Sequence, residues 1–404
     1  MWHKYESIWS DGDERGYRTL ARFDTDRWSR AALAKLLEEY LIAGHLLDRA
    51  TMPHVLSVHG MQAMESLAIR EWMGASPIWT QRIQQVLDFS PNVVGEGDVE
   101  TIFKGMQFDI GAPPRYLDFQ YEVVDEWHGS FRLPYCGALA DAEPMGESFV
   151  ELMCHHVEDP TFDATAIATN PRARMRPVHR PPRHPAGRTP VCSWEVTIDP
   201  TIEPVQGDPH TELVRASRAA QFPVAALERD GSEDSGRAEY RGGMIQDLDY
   251  AVFTHGTLIA LLDEVALQAH LLSLSGSMHL AAQYGDDFAL ELITHQFVGT
   301  FNVVMERLIR AFSLPKNRSG LLAALMIHPM LRPRRYTGAE IEVTDGDVSL
   351  RFVASPAREE STPTWFDAFD VVAHRLGDPD DPDAQLTSLS TAATFVLPSG
   401  AGSA

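Results

Sequence analysis

The stretch GESFVELMCHHVEDPTFD (146–163) gathers one cysteine, two adjacent histidines, three glutamates and two aspartates. Interpreted as an α-helix from about 147 to 158, it places its acids and its thiol on one narrow stripe. His155 lies at the edge of that stripe, whereas His156 points into the opposite, apolar face. The stripe is formed by Glu147, Glu151, Cys154 and Glu158.

Three roles are open for Cys154. A nucleophilic cysteine needs nearby positive charge to lower its thiol pKa, but its helix neighbours are glutamates. A divalent metal, zinc or iron, could bind Cys154, His155 and Glu158, and would deprotonate the thiol. A structural cysteine would pack against another element, as free cysteines usually do. In the reactive interpretations Glu147 would orient a partner group.

The segment NPRARMRPVHRPPRHPAGR (170–188) carries six arginines, two histidines and no acid. We expect an extended loop here, because the prolines restrict the backbone. Guanidinium groups suit bidentate capture of a carboxylate or a phosphate, so Arg176, Arg180 and Arg183 are candidates for binding an anionic substrate. The alternative is a basic loop that neutralises the protein's own acidic surface or contacts another subunit.

Two further cysteines flank neighbouring elements. Cys136 follows the first predicted strands and Cys192 begins the predicted strand VCSWEVTID (191–199). Their convergence with Cys154 in one site is a hypothesis, in which Cys136 would also take part in the chemistry. Elsewhere, Asp287, Glu291 and His295 are spaced four residues apart. This second stripe suits either a metal or an ordinary solvated helix face.

An internal duplication must position these groups. Residues 29–89 match residues 254–314 without gaps at an offset of 225, for example LLEEYLIAGHLL (36–47) over LLDEVALQAHLL (261–272). Ser29 and Thr254 are matched N-cap candidates. Residues that both copies share, such as His45 with His270 and His54 with His279, are expected to be structural. Residues unique to one copy are better candidates for a single site.

The predicted fold is α+β, with a duplicated helix-then-antiparallel-strand unit arranged about a pseudo-twofold axis. The alternating segments FQYEVV, AEIEVT and VSLRFVA are predicted strands. Repeat one spans 15–136, a unique segment spans 137–239 and repeat two spans 240–356. The remainder, 357–404, holds an amphipathic segment, TWFDAFDVVAHRL, and a polar tail for which we expect disorder.

The composition of the chain limits the kinds of molecule that it is expected to bind and the compartment in which it is expected to reside. The net charge of −23 argues against nucleic acid and against an anionic membrane surface. We expect no apolar run near the roughly 20 residues that cross a bilayer, and the first residues lack a secretory signal. Three cysteines form no disulfide framework. The expected location is the cytoplasm, and association into a homo-oligomer is compatible with this composition.

The middle segment resembles a known family. The order of Cys136, MCHHVED (153–159), TNPRARMRPVHRPPR (169–183) and CSWEV (192–196) is similar to that of the L-2-amino-thiazoline-4-carboxylate hydrolase-like proteins. The resemblance covers roughly 30–200 and implies a cytoplasmic small-molecule enzyme. The namesake activity opens a carboxylate-bearing sulfur–nitrogen heterocycle by hydrolysis. This sequence departs from the family in its long basic loop and its second, degenerate repeat.

The leading prediction is an enzyme that acts on a small carboxylate-bearing metabolite by hydrolysis or a related C–N or C–S bond cleavage. Cys136, Cys154, His155 and Glu158 would supply the reacting or metal-binding groups. One alternative is a non-catalytic protein that binds a small ligand or serves as a scaffold. The other is a metal-dependent redox enzyme that uses the carboxylates of repeat two and His295.

Overall fold

The computed structural model describes residues 25, 28–225, 227, 235–315, 318–343, 348–376 and 393–395. Within them, long helices combine with two antiparallel sheets, which confirms the predicted α+β class. The first part of the chain forms α1 (Arg30–His45), α2 (Leu47–His59), α3 (Met61–Val86), α4 (Val99–Met106), β1 (Gln120–Val123) and β2 (His128–Leu133).

The middle of the chain completes the first sheet. In this part of the chain a π-helical turn, Leu152–Val157, joins the helices Glu147–Glu151 and Glu158–Ile167 into one continuous rod. The elements are α5 (Gly137–Ala142), α6 (Glu147–Glu151), α7 (Glu158–Ile167), β3 (Ala173–His179), β4 (Cys192–Ile198), α8 (Pro209–Arg215) and α9 (Arg218–Gln221).

The last part of the chain again runs from helices to strands. Its elements are α10 (His255–Tyr284), α11 (Asp286–Ala311), α12 (Arg318–Met326), α13 (Arg334–Thr337), β5 (Ala339–Val343), β6 (Val348–Phe352), α14 (Trp365–Leu376) and β7 (Ala393–Phe395).

Both predicted N-caps are confirmed. The Ser29 hydroxyl accepts a hydrogen bond from the Ala32 N–H at 3.2 Å, and the Thr254 hydroxyl accepts one from the Thr257 N–H at 3.2 Å. Each satisfies a backbone donor that the first helical turn leaves free. The sequence therefore marks the start of both long helical segments.

The two helical halves follow the offset of 225 residues. The glycines that separate the long helices, Gly60 and Gly285, adopt similar left-handed φ angles of 83° and 90°. Two ion pairs also cross between the halves in a reciprocal way, because Arg82 pairs with Glu264 and Arg307 pairs with Glu39. These features are consistent with the predicted duplication and its pseudo-twofold axis, which stay predictions.

α10 is the most apolar helix of the described chain that is long enough to cross a bilayer. An 18-residue window within it has a mean hydropathy of 1.4, and 89% of that window is buried inside the protein. The expectation that no apolar segment approaches bilayer length was therefore wrong on composition. The helix packs instead against α1 and α3, where an all-round apolar surface is what a core helix needs.

The first sheet has the strand order β1-β2-β4-β3, with every neighbouring pair antiparallel. The predicted strands correspond to β1, β4, β5 and β6. The prediction of a loop for 170–188 was partly wrong, because Ala173–His179 forms the edge strand β3. The edge tolerates Pro177, which lies beside a register irregularity. β7 similarly lies within the predicted polar tail and pairs with β6; the rest of the tail lies outside the described residues.

Three apolar clusters form the core of the described residues. The largest combines α1, α3, α10, α11 and α14, and so draws on both predicted repeats. The smallest joins α2, α3 and α11 to the π-turn. The second largest lies under the first sheet, where Phe131 of β2 is paired with Trp194 of β4 and both rings are fully buried. Cys154 and Cys192 belong to this second cluster. The predicted domain boundaries stay predictions.

Candidate functional site

A cavity of about 320 Å³ lies between the helices of the first half and the sheet. Its wall is mostly apolar, and a few polar groups project into it, as in small-molecule sites generally. The polar and sulfur-bearing groups of the wall include His45, Asp48, Arg49, Trp72, Asp109, Cys136, Asp141, Cys154, Glu158 and Cys192.

The π-helical turn sets the direction of the key side chains. Its wider turn changes the helical phase, so the predicted stripe of Glu147, Glu151, Cys154 and Glu158 was wrong. Glu147 and Glu151 are exposed, whereas Cys154 is buried in the apolar cluster and lines the cavity. Glu158 begins α7 and lines the same cavity. π-Turns occur frequently at functional sites.

The two histidines of the stretch also differ from the prediction. His156 does not point into the core; it is exposed and lies 3.1 Å from a carboxylate oxygen of Glu65. His155 is half-buried, and its Nε2–H donates to the Pro181 carbonyl oxygen at 2.7 Å. This bond fastens the predicted arginine segment over the π-turn, and Pro181 completes the cavity wall.

All three cysteines line this one cavity, as the hypothesis of convergence requires. Each comes from a different element: Cys136 caps α5, Cys154 lies in the π-turn and Cys192 starts β4. Burial, and then the nearby Glu158 carboxyl, raise the pKa of the Cys136 thiol to about 12. The same two causes raise the pKa values of the other two thiols, and the weaker opposing effect of Arg180 at Cys154 does not reverse this. A thiolate nucleophile is therefore disfavoured.

Glu158 is the acid around which the thiols are arranged. Burial raises its pKa to about 8, although the positive charge of Arg180 acts in the opposite direction. At neutral pH this carboxyl is therefore protonated in most molecules and can donate a proton. A carboxyl whose pKa lies near the working pH is suited to general acid–base catalysis.

Two further acids, Asp48 of α2 and Glu71 of α3, influence each other electrostatically, and Asp48 lines the cavity. Asp48 accepts a hydrogen bond from the Trp72 indole N–H at 2.8 Å. Among the described residues, Asp48 Oδ1 and Glu71 Oε1 are buried and find no hydrogen-bond partner. Burial raises the pKa of both carboxyls, to about 7 for Asp48, and the charge of Asp48 raises that of Glu71 further. Such acids favour the neutral form because an isolated buried charge is unstable.

Asp109 is the acid with the best-defined partners. Its oxygens accept from the Trp79 indole N–H at 2.9 Å and from the Gly111 backbone N–H at 2.6 Å. Burial raises its pKa to about 6, and the two donors limit that rise. Asp109 is thus mostly ionised at neutral pH, whereas Glu158 is mostly protonated.

Arg49 is the arginine in the cavity wall. Its guanidinium pairs with Asp141 and donates to the Tyr116 hydroxyl, which in turn donates to Asp141 at 2.8 Å. Sequence reasoning missed Arg49, Asp48 and Asp109. The repeat alignment could have identified Asp48 and Arg49 as unique to the first copy, because the second copy has Ser273 and Leu274 at the corresponding positions.

The predicted substrate arginines lie outside the cavity wall. Each is engaged by a carboxylate of the protein: Arg176 pairs with Asp163 at 2.8 Å, Arg183 with Glu143 at 2.6 Å, and Arg180 with Asp159. This arrangement agrees with the alternative of a basic segment that neutralises nearby acidic groups.

The structure does not bring the predicted metal ligands Cys154, His155 and Glu158 together as a metal-binding group. The ligand atoms that the described residues bring within 4.8 Å of one another belong to His54, Glu291 and His295. Cys154, His155 and Glu158 are outside that group, and the ring nitrogen of His155 that forms a hydrogen bond is directed to Pro181 instead.

Comparison with known proteins gives no relative. No family model matches the sequence, and no match was found among curated proteins or solved structures. The resemblance to the L-2-amino-thiazoline-4-carboxylate hydrolase-like proteins therefore stays a prediction.

Proposed function

We propose that the chain is a small-molecule enzyme that hydrolyses a C–N or C–S bond in a compact, carboxylate-bearing metabolite held in the cysteine-lined cavity. The observation that carries the proposal is Glu158, a carboxyl with a pKa of about 8 that lines a mostly apolar cavity. The cavity volume of about 320 Å³ lies at the small end of the range for ligand sites.

Two carboxyls with separated pKa values supply an acid and a base. Asp109, with a pKa of about 6, would accept a proton from the attacking water as the new C–O bond forms. Glu158, with a pKa of about 8, would donate a proton to the departing nitrogen or sulfur as its bond to carbon breaks. Acid and base assignments follow from environments that push two pKa values apart.

The substrate carboxylate is assigned to Arg49. It is the arginine of the cavity wall, and its present partner, Asp141, is exposed and can be replaced by a ligand carboxylate. The thiols would then serve as a neutral, polarisable wall rather than as nucleophiles, because burial and Glu158 both raise their pKa values.

The test starts with a thermal-shift panel of compact carboxylic acids that contain C–N or C–S bonds, with the matching amides as controls. Compounds that stabilise the protein are incubated with it, and products are identified by mass spectrometry. We expect a bell-shaped dependence of kcat/KM on pH, with limbs near pH 6 and pH 8 from Asp109 and Glu158.

Three variants separate the roles of these side chains. Glu158→Gln should keep ligand binding and lower kcat by about 10²–10⁴-fold, whereas Arg49→Gln should mainly weaken binding. Arg176→Gln is the matched control, because Arg176 is ion-paired outside the cavity wall. If Arg176→Gln weakened binding as much as Arg49→Gln, the carboxylate site would lie on the basic segment instead.

A non-catalytic ligand-binding protein is the second candidate. Two features favour a binding role: the thiols are protonated and so are not nucleophiles, and the cavity wall is largely apolar. Both suit the binding of a ligand without any reaction. A ligand that binds tightly, stays chemically unchanged and binds equally well to Glu158→Gln would support this second function over the first.

A further inference from the structure

A second cluster of functional side chains lies away from the cavity, where α2 packs against α11. His54 of α2 meets Glu291 and His295 of α11, and one donor atom from each lies within 4.8 Å of the other two. None of the three lines the cavity. Of the predicted stripe on α11, Glu291 and His295 belong to the cluster, whereas Asp287 lies outside it.

The geometry of the cluster is close to that of a metal site. His54 Nε2 lies 3.3 Å from Glu291 Oε1, and the His54 and His295 rings are 4.5 Å apart. A tetrahedral zinc ion with bonds of about 2.0–2.1 Å holds its ligand atoms roughly 3.3 Å apart. Glu291 and His295 are four residues apart on one helix, which puts both on the same face.

The hydrogen bonding of His54 gives an independent indication. Its Nε2 atom is buried and makes no hydrogen bond to any described residue, despite its short distance to Glu291. The Phe288 ring stacks against the imidazole at 6.2 Å and holds it in this orientation. A buried ring nitrogen without a partner normally destabilises a protein, and a cation would satisfy it.

We infer that His54, Glu291 and His295 bind a zinc ion that fastens α2 to α11. Two imidazoles and one carboxylate are a donor set that zinc accepts, and three protein ligands leave a fourth position for water. Glu291 and His295 are exposed, so an ion can enter from solvent. The ion would join the two helical halves of the chain, and the proposed chemistry in the cavity does not depend on it.

The inference is tested on the full chain without an affinity tag, stripped with a chelator and dialysed. We expect calorimetric titration with zinc sulfate to show one saturable site with a dissociation constant in the low micromolar range or tighter. Zinc should raise the Tm by several degrees, because it binds the folded form alone. Cobalt should give the visible spectrum of a tetrahedral ion without a thiolate charge-transfer band.

Matched variants locate the ion. Glu291→Gln and His295→Gln are exposed substitutions, and each should weaken zinc binding by about a hundredfold. Asp287→Asn, one turn away on the same helix and also exposed, should leave binding within a factor of about two. Cys154→Ser tests the cavity as the other location of a metal, and it too should leave binding unchanged.

Two results would overturn the inference. One is the absence of saturable zinc binding to the unmodified chain. The other is binding that survives Glu291→Gln and His295→Gln, with or without a loss in Cys154→Ser, since the ion would then lie elsewhere. A circular dichroism spectrum of each variant guards against loss of folding as the cause.

Discussion

Positions that the predicted duplication aligns in the two helical halves hold different kinds of polar side chain. At the offset of 225, Asp48 and Glu71 correspond to Ser273 and Gln296. The Ser273 hydroxyl donates to Gln296 Oε1 at 2.6 Å, and the Trp365 indole N–H donates to the same oxygen at 2.8 Å. In the first half, Asp48 lines the cavity and Glu71 is buried, and each leaves one oxygen without a partner among the described residues.

The comparison separates scaffold from site. His45 and His270, shared by both halves, each donate to a backbone carbonyl, of Ile110 and Arg332. The second half adds α14, whose Trp365 is 2% exposed and occupies the space beside His270. The first half has the cavity and its acids there instead. Unpaired buried acids lower stability, so Asp48 and Glu71 should destabilise the first half in a way that Ser273 and Gln296 do not destabilise the second.

The largest expected effect comes from removing the Trp365 ring, which fills the space beside His270 in the second half. Trp365→Ala removes a fully buried ring and its hydrogen bond to Gln296, so we expect the free energy of unfolding to fall by about 3–5 kcal/mol. Urea unfolding measures this loss. Trp127→Ala, at a side chain that is 37% exposed, is the control and should change stability by less than about 1 kcal/mol. Equal losses would show that Trp365 does not fill the second half as described.

The reciprocal ion pairs should differ in strength despite their symmetry. Arg82 and Glu264 are 8% and 4% exposed and joined by two bonds of 2.8 Å, whereas Arg307 and Glu39 are 31% and 18% exposed. Arg82→Ala leaves a buried carboxylate unpaired and should destabilise the fold by about 3–5 kcal/mol. Arg307→Ala should destabilise it by about 1 kcal/mol or less. Chemical denaturation measures the loss in the free energy of unfolding for each variant. Similar losses in the two variants would contradict the prediction.

Removing a cavity acid should raise stability. Burial holds the folded-state pKa of Asp48 near 7, above its value in the unfolded chain. Stability is therefore lost as the pH rises from about 4, where the unfolded chain ionises, to 7. Asp48→Asn keeps an acceptor for Trp72 and should add on the order of 2 kcal/mol at pH 8, with little change near pH 4. Unfolding curves at the two pH values provide the check, and an equal gain at both would rule out ionisation as its cause.

The smallest effect concerns the thiols. Because burial and Glu158 raise their pKa values, all three cysteines should react slowly with a thiol reagent at neutral pH in the folded protein. Above pH 8 the ionised Glu158 opposes thiolate formation, so Glu158→Gln should accelerate labelling several-fold near pH 9. Mass spectrometry after timed labelling resolves each cysteine. Unchanged rates would show that Glu158 has no electrostatic influence on the thiols.

Local patterns predicted much of the fold. Caps such as Ser29 and Thr254, and alternating strands such as 339–343, depend on neighbours in sequence, and the structure contains them. The strand Ala173–His179 was not predicted, because its prolines and arginines favour a loop locally. Pairing with β4 and with acids of α7 decides its conformation, and those are tertiary interactions.

The site was predicted in part. The sequence indicated that Glu158 and the cysteines share a site, and the structure places them around one cavity. It assigned the wrong face to Cys154, because a regular helical period was assumed across a π-turn. Asp109 was missed, since it lies outside every motif and reaches the cavity only through the packing of α4.

The π-turn at 152–157 also bears on how the site could arise or be lost. A π-turn holds one residue more than the α-helical turn it replaces, so deletion of a single residue there would restore a regular helix. The helix would survive, and the residues before and after the turn would keep nearly their present directions, because the extra residue is accommodated within that one turn. Glu158 would stay at the cavity, and only the deleted residue, for example Cys154, would be lost from its wall. One codon gained or lost could therefore add or remove a side chain of the cavity wall with little change in the fold.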